Sequence, residues 1–384
     1  MRNITLLTWF NFFTDLRLYA PIAIIYFAQV TGSYALGMSV FSIVFISSAL
    51  FELPTGIISD YIGRKKTLML GAFAAVLYSI FYAAADSYMF LIIGAIIEGL
   101  SRSFYSGNND ALLYDTLKQN KKEHEYDEYM GKTHSMFQIA AAICALVGGI
   151  LASWSFPLVM WLSVLSQLGC FIISLLVIPP QIETNTIEEN IFVHLKDAIR
   201  KFVENKKLRL LSLSSILGFG FGEASYQFQS AFYSTLWPVW AIGIAKTLSS
   251  VGATISFRLA GKMNKKFGSV KILLITNIYN RIINFIFALF PSIFSPILMS
   301  STSLLFGVSY VAENSLMQKE FTDKQRATMQ SLDSFFGSIF FGIVSIGIGF
   351  IADSLSPAYA IIVVQFCMLP TLVINWLLVK NHNS

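Results

Sequence analysis

The chain alternates long apolar runs with short polar punctuation, and the runs are longer than the helices of a soluble core. Reading each stretch of about 18 or more mainly apolar residues as a membrane-spanning helix places spans near residues 6–30, 36–58, 67–84, 88–117, 130–152 and 156–178. A second set follows near 208–233, 239–260, 270–290, 296–316, 327–352 and 357–379. A membrane β-barrel would show alternating segments of about ten residues, and a run such as Ser135 to Leu151 does not alternate. The expected fold is an all-α integral membrane protein of twelve transmembrane helices in two pseudo-symmetric six-helix bundles. Residues 1–180 would form the first bundle, 181–207 a cytoplasmic linker and 208–384 the second bundle. Within the linker, Ile191, Leu195, Ala198, Ile199 and Phe202 share one helical face and Lys196, Arg200 and Lys201 the other. That pattern predicts a basic amphipathic helix lying on the membrane surface.

Composition agrees: 55% of the 384 residues are hydrophobic, only 13% are charged, and the mean hydropathy is +0.63, too apolar for the surface of a soluble domain. The placement of Lys and Arg adds an orientation, because positive loops are retained on the cytoplasmic side. Arg64, Lys65 and Lys66 follow the second span; Lys118, Lys121, Lys122 and Lys132 follow the fourth; Lys196 to Arg209 lie in the linker. Lys262, Lys265 and Lys266 follow the eighth span, and Lys319, Lys324 and Arg326 the tenth. The alternate loops, around Gly32, Asp86, Ser153, Thr235, Ser292 and Ser354, hold none. The chain is expected to sit in the cell (inner) membrane with both termini cytoplasmic. Its net charge of +5 is then topological, and no nucleic-acid partner is expected, since the basic residues occupy separate loops. The first apolar segment is too long for a signal-peptide core and lacks a small-residue cleavage site, so it is expected to stay in the membrane. Cys144, Cys170 and Cys367 and the four histidines show no ligand spacing, so neither a metal nor a cofactor is expected.

One punctuation mark recurs. Gly56-Ile57-Ile58-Ser59-Asp60-Tyr61-Ile62-Gly63-Arg64-Lys65-Lys66 has its skeleton repeated 205 residues on, in Gly261 to Gly268, where Lys265 stands in place of Asp60. The same offset pairs Tyr105 with Tyr310 and Asn109 with Asn314, and an offset of 208 pairs Asp15 with Glu223. Internal duplication of a membrane bundle predicts a ligand site between the halves near the bilayer midplane.

The turn at Gly56, Asp60, Gly63, Arg64 and Lys65 resembles the Gly-x-x-x-Asp-(Arg/Lys)-x-Gly-(Arg/Lys)-(Arg/Lys) signature of the major facilitator superfamily, with Tyr61 departing at one basic position. The preceding Glu52-Leu53-Pro54-Thr55 is similar to bacterial members. The resemblance implies a secondary transporter working by alternating access, in which this loop is a conformational latch. Independently of the resemblance, the glycines allow close approach and reversal of the chain. Asp60, past a helix C-terminus, needs a positive partner, which Arg64 or a basic group of the other bundle can supply. Two patterns of the superfamily's drug exporters are incomplete: Ala95-Ile96-Ile97-Glu98-Gly99 lacks their arginine, and Cys144 to Gly149 lacks their proline. Gly148 and Gly149 are read as close-packing residues.

Ionisable residues inside spans face a cavity, a partner or a pathway. They are Asp15, Arg17, Glu98, Arg102, Glu223, Lys246, Arg281, Glu313 and Asp333. Glu98, Arg102, Tyr105 and Asn109 fall on one face of a continuous helix, either a cavity lining or a self-neutralised Glu98–Arg102 pair. Glu223, Tyr226 and Gln227 share a face of span seven, as Asn11, Thr14 and Asp15 do in span one. Asp15 and Glu223 are the carboxylates expected to carry coupled protons, against the alternative of structural ion pairs such as Glu223–Lys246. Arg17 is placed opposite Asp15 on a regular helix. Arg281 is expected to bridge to Asp333 or Glu313. No nucleophile with its base and acid is present, and Gly218 to Gly222 lacks the features of a phosphate loop, so no enzymatic activity is expected. The leading expectation is proton-coupled efflux of a small organic solute by a monomer in the lipid bilayer. The alternative is uptake of an anionic or polar solute. Outside transport stand a lipid scramblase and a non-transporting receptor.

Overall fold

The computed structural model describes residues 2–179, 205–320 and 326–382, and every regular element among them is a helix. In the first part of the chain these are α1 (Arg2–Asp15), α2 (Ala23–Thr31), α3 (Tyr34–Ile62), α4 (Arg64–Ala83), α5 (Tyr88–Tyr105), α6 (Asn108–Gln119), α7 (Tyr126–Trp154) and α8 (Phe156–Leu176). The second part holds α9 (Lys206–Tyr233), α10 (Val239–Phe267), α11 (Ser269–Leu289), α12 (Ser295–Ser300), α13 (Phe306–Glu320), α14 (Arg326–Ser354), α15 (Pro357–Cys367) and α16 (Leu369–His382). The linker helix expected within 181–207 falls almost wholly outside the described residues.

Local chemistry sets the boundaries. Ser33, Ser155, Asn205 and Ser356 cap α3, α8, α9 and α15, each accepting the backbone N–H three residues on, which satisfies a donor the helix cannot. Gly63 (φ +88°, ψ 151°) joins α3 to α4, and Gly268 (φ +81°, ψ 135°) joins α10 to α11. Both turns need a glycine's positive φ, so the repeated motif is repeated in backbone shape as well. Gly56 and Gly261 behave differently from the expectation: a Cβ at either would meet nothing within 4 Å, so neither permits a close approach in this structure.

Among the described residues, ten helical segments have the length and hydropathy to cross a membrane. The two predicted spans that fall short are the ones that open the halves. The first is interrupted: α1 stops at Asp15, and a short 3-10 turn, Ala20–Ile22, precedes α2. The second, α9, is unbroken over 28 residues but carries Ser212, Ser214, Ser215, Glu223, Gln227, Gln229 and Ser230. The fourth predicted span is also divided, because Gly107 (φ +67°) separates α5 from α6.

The chain forms two compact units, Met1–Asn185 with Pro238–Thr247, and Thr186–Trp237 with Leu248–Ser384. The first has two apolar cores: one of Tyr19, Tyr26, Phe27, Tyr78, Tyr82 and Leu91 with their neighbours, the other around Phe10, Leu68, Leu112, Leu117 and Cys170. The second unit's core gathers Leu208, Leu211, Leu273, Val308, Ala312 and Ile374. Large apolar side chains such as Trp9, Leu50, Leu165, Ile172, Ile343 and Phe350 are exposed, the inverse of a soluble surface and the face a lipid-solvated bundle presents.

Candidate functional site

The polar centre of the first unit begins with the break in its opening helix. Past Asp15 the chain unwinds, with Arg17 N–H donating to the Asp15 carbonyl at 2.8 Å. Backbone groups freed in a membrane need partners. The Gln167 amide supplies donors to the carbonyls of Phe13 (3.1 Å) and Thr14 (3.4 Å), and the Cys144 thiol donates to the Asp15 carbonyl at 3.6 Å. Gly148 of α7 lies against the same break: a Cβ there would stand 2.0 Å from the Leu18 carbonyl oxygen. The close-packing role expected of Gly148 is met by this contact.

Because α1 ends at Asp15, Arg17 does not point away from it as a regular helix would require. Its Nη2 lies 3.8 Å from Asp15 Oδ1, and its Nη1 donates to Glu98 Oε1 at 2.8 Å. Arg102, one turn along α5, donates to the same oxygen from Nη2 (2.8 Å) and Nε (3.1 Å), and Tyr82 OH donates to Glu98 Oε2 at 2.9 Å. Glu98 is only 5% exposed. Two guanidinium groups and a phenol offset the cost of burying that carboxylate. The Glu98–Arg102 pair exists, and its Arg102 also forms part of a cavity wall while Glu98 stays behind it.

That cavity, of about 220 Å³, is lined by Thr14, Asp15, Arg17, Tyr78, Ser101, Arg102, Tyr105 and Gln167. Ser101 is held by donating to the Gly71 carbonyl at 2.8 Å, and Gly71 leaves the room that the Tyr105 ring occupies. Three buried polar atoms in this region have no protein partner: Arg17 Nε, Tyr19 OH and Gln167 Oε1. Asn109 does not join the stripe predicted for it, since the turn at Ser106–Gly107 puts it on α6 and outside the lining. Tyr82, Tyr78 and Gln167 are participants that a search limited to charged residues passes over; a lone Gln in an apolar span was their one visible signal.

The turn between α3 and α4 packs near the end of α5, where Thr55, Gly56, Ser59 and Arg64 share a pocket with Ser103, Phe104 and Ser106. Arg64 Nε pairs with Asp115 Oδ2 of α6 at 2.7 Å, and Asn108 Nδ2 donates to the Arg64 carbonyl at 3.1 Å. Lys65 Nζ donates to the Leu175 carbonyl at 3.2 Å. Arg64 thus engages an acid that the motif does not contain. The Asp60 side chain lies outside the described residues. In the second unit, Gln227 Nε2 donates to Glu223 Oε1 at 2.7 Å, while Tyr226 is 44% exposed; Lys246, within the Pro238–Thr247 stretch of the first unit, is buried. Asp333 accepts from the hydroxyls of Ser212 and Ser215. The expected Arg281 bridge does not form among the described residues: Arg281 donates to the Met368 sulfur at the junction of α15 and α16.

The family model described as Major Facilitator Superfamily matches residues 4–343. The chain belongs to the major facilitator superfamily. It is 24% identical to an uncharacterized MFS-type transporter, YxaM, of Bacillus subtilis, with 85% of this chain and 83% of that one covered. It is 25% identical to an uncharacterized MFS-type transporter of Methanocaldococcus jannaschii over 91% of each. An uncharacterized transporter of Buchnera aphidicola is 28% identical, but the match spans 46% of this chain and only 43% of that protein. In fold this superfamily member is similar to the nucleoside transporter NupG (D323A mutant), with a TM-score of 0.83 at 14% identity over 97% and 99% of the two chains. The POT family transporter PepTSo gives a TM-score of 0.75 at 11% identity over 100% and 98%. The chain is thus a multi-pass integral membrane protein of the transporter type.

Proposed function

We propose that this superfamily member is a proton-coupled secondary transporter that moves a small organic solute by alternating access, with the cavity beside the broken first helix as its solute site in the first unit. The reading rests on the division of labour between two carboxylates. Glu98 is consumed by Arg17, Arg102 and Tyr82, so it fixes the wall. Asp15 lies on the cavity lining with 24% of its side chain exposed, against 6% for Glu98. A group reached from the cavity can exchange a proton and then meet the solute. Competition of the two for Asp15 gives antiport, and hence efflux under an inward proton gradient. The guanidinium groups on the wall support the second reading, proton-linked uptake of an anionic solute. In either case the one-sided distribution of Lys and Arg supports cytoplasmic termini, and the chain acts as a monomer.

Proteoliposomes with an internal pH-sensitive dye test this. Adding solutes under an imposed pH gradient should move protons for the transported one, and Asp15→Asn should remove that movement while leaving the protein folded. Solute flux indifferent to the pH gradient, or intact coupling in Asp15→Asn, overturns the assignment.

A further inference from the structure

The lining of the cavity in the first unit is bipolar, and this indicates a class of solute. Its cationic part is the Arg102 guanidinium, 37% exposed and lying 5.3 Å over the Phe45 ring, together with the unpartnered Nε of Arg17. Its acceptor part is the Asp15 carboxylate, 24% exposed, and beside it on the lining stands Gln167, whose Oε1 is buried. That oxygen belongs to a fully buried side chain, and no protein donor reaches it. A buried acceptor with no donor costs on the order of 1–3 kcal/mol, and a solute that donates to it recovers that cost.

Size narrows the class. Drug-sized ligands occupy pockets of roughly 300–1,000 Å³, whereas this one offers about 220 Å³, the liquid volume of about seven waters at ~30 Å³ each. Charge narrows it again. Arg17 and Arg102 balance Glu98 and Asp15, so with Asp15 ionised the site is neutral overall; Arg17 adjoins both carboxylates, 2.8 Å from Glu98 and 3.8 Å from Asp15, and the exposed donor end is Arg102. A neutral, divided site suits a solute that is itself neutral and divided. Guanidinium groups favour a planar carboxylate because two parallel N–H bonds fit its two oxygens. A carboxylate and a carbonyl oxygen opposite them accept from an ammonium group.

We infer that the solute is a small zwitterionic amino acid, its carboxylate held at Arg102 and Arg17 and its ammonium at Asp15 and Gln167 Oε1. This rests on the reading of the cavity as the transport site. The exchange step balances: when the ammonium group arrives, protonated Asp15 releases its proton to the aqueous phase the cavity then faces, and the carboxylate left behind pairs with the ammonium. The proton-loaded cavity carries one net positive charge and the solute-loaded cavity none, so the antiport cycle moves charge.

The test uses the full-length protein in detergent and in proteoliposomes, with 2-aminobutyrate, 2-hydroxybutyrate, butyrate and propylamine as matched probes. The expected result is thermal protection by 2-aminobutyrate at concentrations at least tenfold below those needed for the other three, and exchange accelerated by a potassium-diffusion potential. Arg102→Gln should abolish the protection. Arg102→Lys, which keeps the charge and loses the fork, should weaken it about tenfold, and circular dichroism checks that both variants fold. Asp15→Asn should bring 2-aminobutyrate and 2-hydroxybutyrate within about twofold of each other. Equal protection by butyrate or propylamine, or exchange indifferent to the potential, overturns the zwitterion assignment. Transport of another solute that still depends on Asp15 and Arg102 sinks that class and leaves the site standing; transport untouched by both substitutions sinks the site.

Discussion

At the scale of residues, Glu98 separates structural charge from working charge. Its carboxylate accepts from three side chains, so Glu98→Gln strips Arg102 of its counter-ion and leaves Arg17 with Asp15 at 3.8 Å. Breaking a buried pair costs about 3–5 kcal/mol, and the lower end applies here because more than a third of Arg102 is exposed. The expected outcome is a large fall in thermal unfolding temperature, with any residual transport still responding to pH. Arg64 and Asp115 form a more exposed pair, with side chains 33% and 14% exposed. A double-mutant cycle of Arg64→Gln and Asp115→Asn should return a coupling of about 1 kcal/mol in unfolding measurements; additive effects would show that the pair contributes nothing to stability. Outside the spans, Lys122 donates to both oxygens of Glu125 at 2.9 Å, and these hydrogen bonds hold the Glu125 carboxyl below the usual carboxylate range. A lowered folded value stabilises above the unfolded pKa and is lost as pH falls through the folded one. Amide-exchange protection factors across residues 120–126, corrected for the intrinsic pH dependence of exchange, should therefore fall on acidification in the wild type and stay constant in Glu125→Gln. Glu98 and Arg102 were legible as a pair because their spacing on one helix is enough. Arg17 was not, since a 100° step per residue assumes a helix that the chain abandons at Asp15.

At the scale of elements, breaks matter more than lengths. Hydropathy locates an apolar run but is silent on whether the run is one helix, and the first and fourth spans are each two. The visible cues were Pro21 beyond Asp15 and Gly107 beyond Tyr105, both of which a run of apolar neighbours outweighed. The repeated turn, in contrast, was legible at its second glycine, which recurs with nearly the same dihedral angles, but not at its first, where no close approach is made. Gly148 offers a test of the first break. An added Cβ would collide with the Leu18 carbonyl, and overpacking of this kind costs about 1–3 kcal/mol. Gly148→Ala should lower the unfolding temperature and disturb solute affinity together, because the displaced segment carries Asp15 and Arg17. A Gly148→Ala protein with unchanged affinity would show that the break and the cavity are mechanically independent.

At the scale of the molecule, the twelve-span plan and the transporter class followed from runs, loop charges and one loop signature, since each is written in contiguous sequence. The contents of the cavity are not contiguous: α1, α4, α5 and α8 supply them from positions 14 to 167, and only the folded unit brings them together. The helix broken at Asp15 has a further bearing on how the protein is made. Fourteen residues of α1 reach only about 21 Å at 1.5 Å per residue, short of a hydrocarbon core of about 30 Å. Taken alone, α1 is therefore a weak membrane anchor, whereas the Tyr34–Glu52 stretch of α3 qualifies as a span. A reporter fused after residue 33 should be stripped from membranes by alkaline extraction, whereas one fused after residue 86 should resist it. α9 is long enough at 28 residues but too polar to qualify, so it too should need the hydrophobic helix that follows it, α10, to be held in the bilayer.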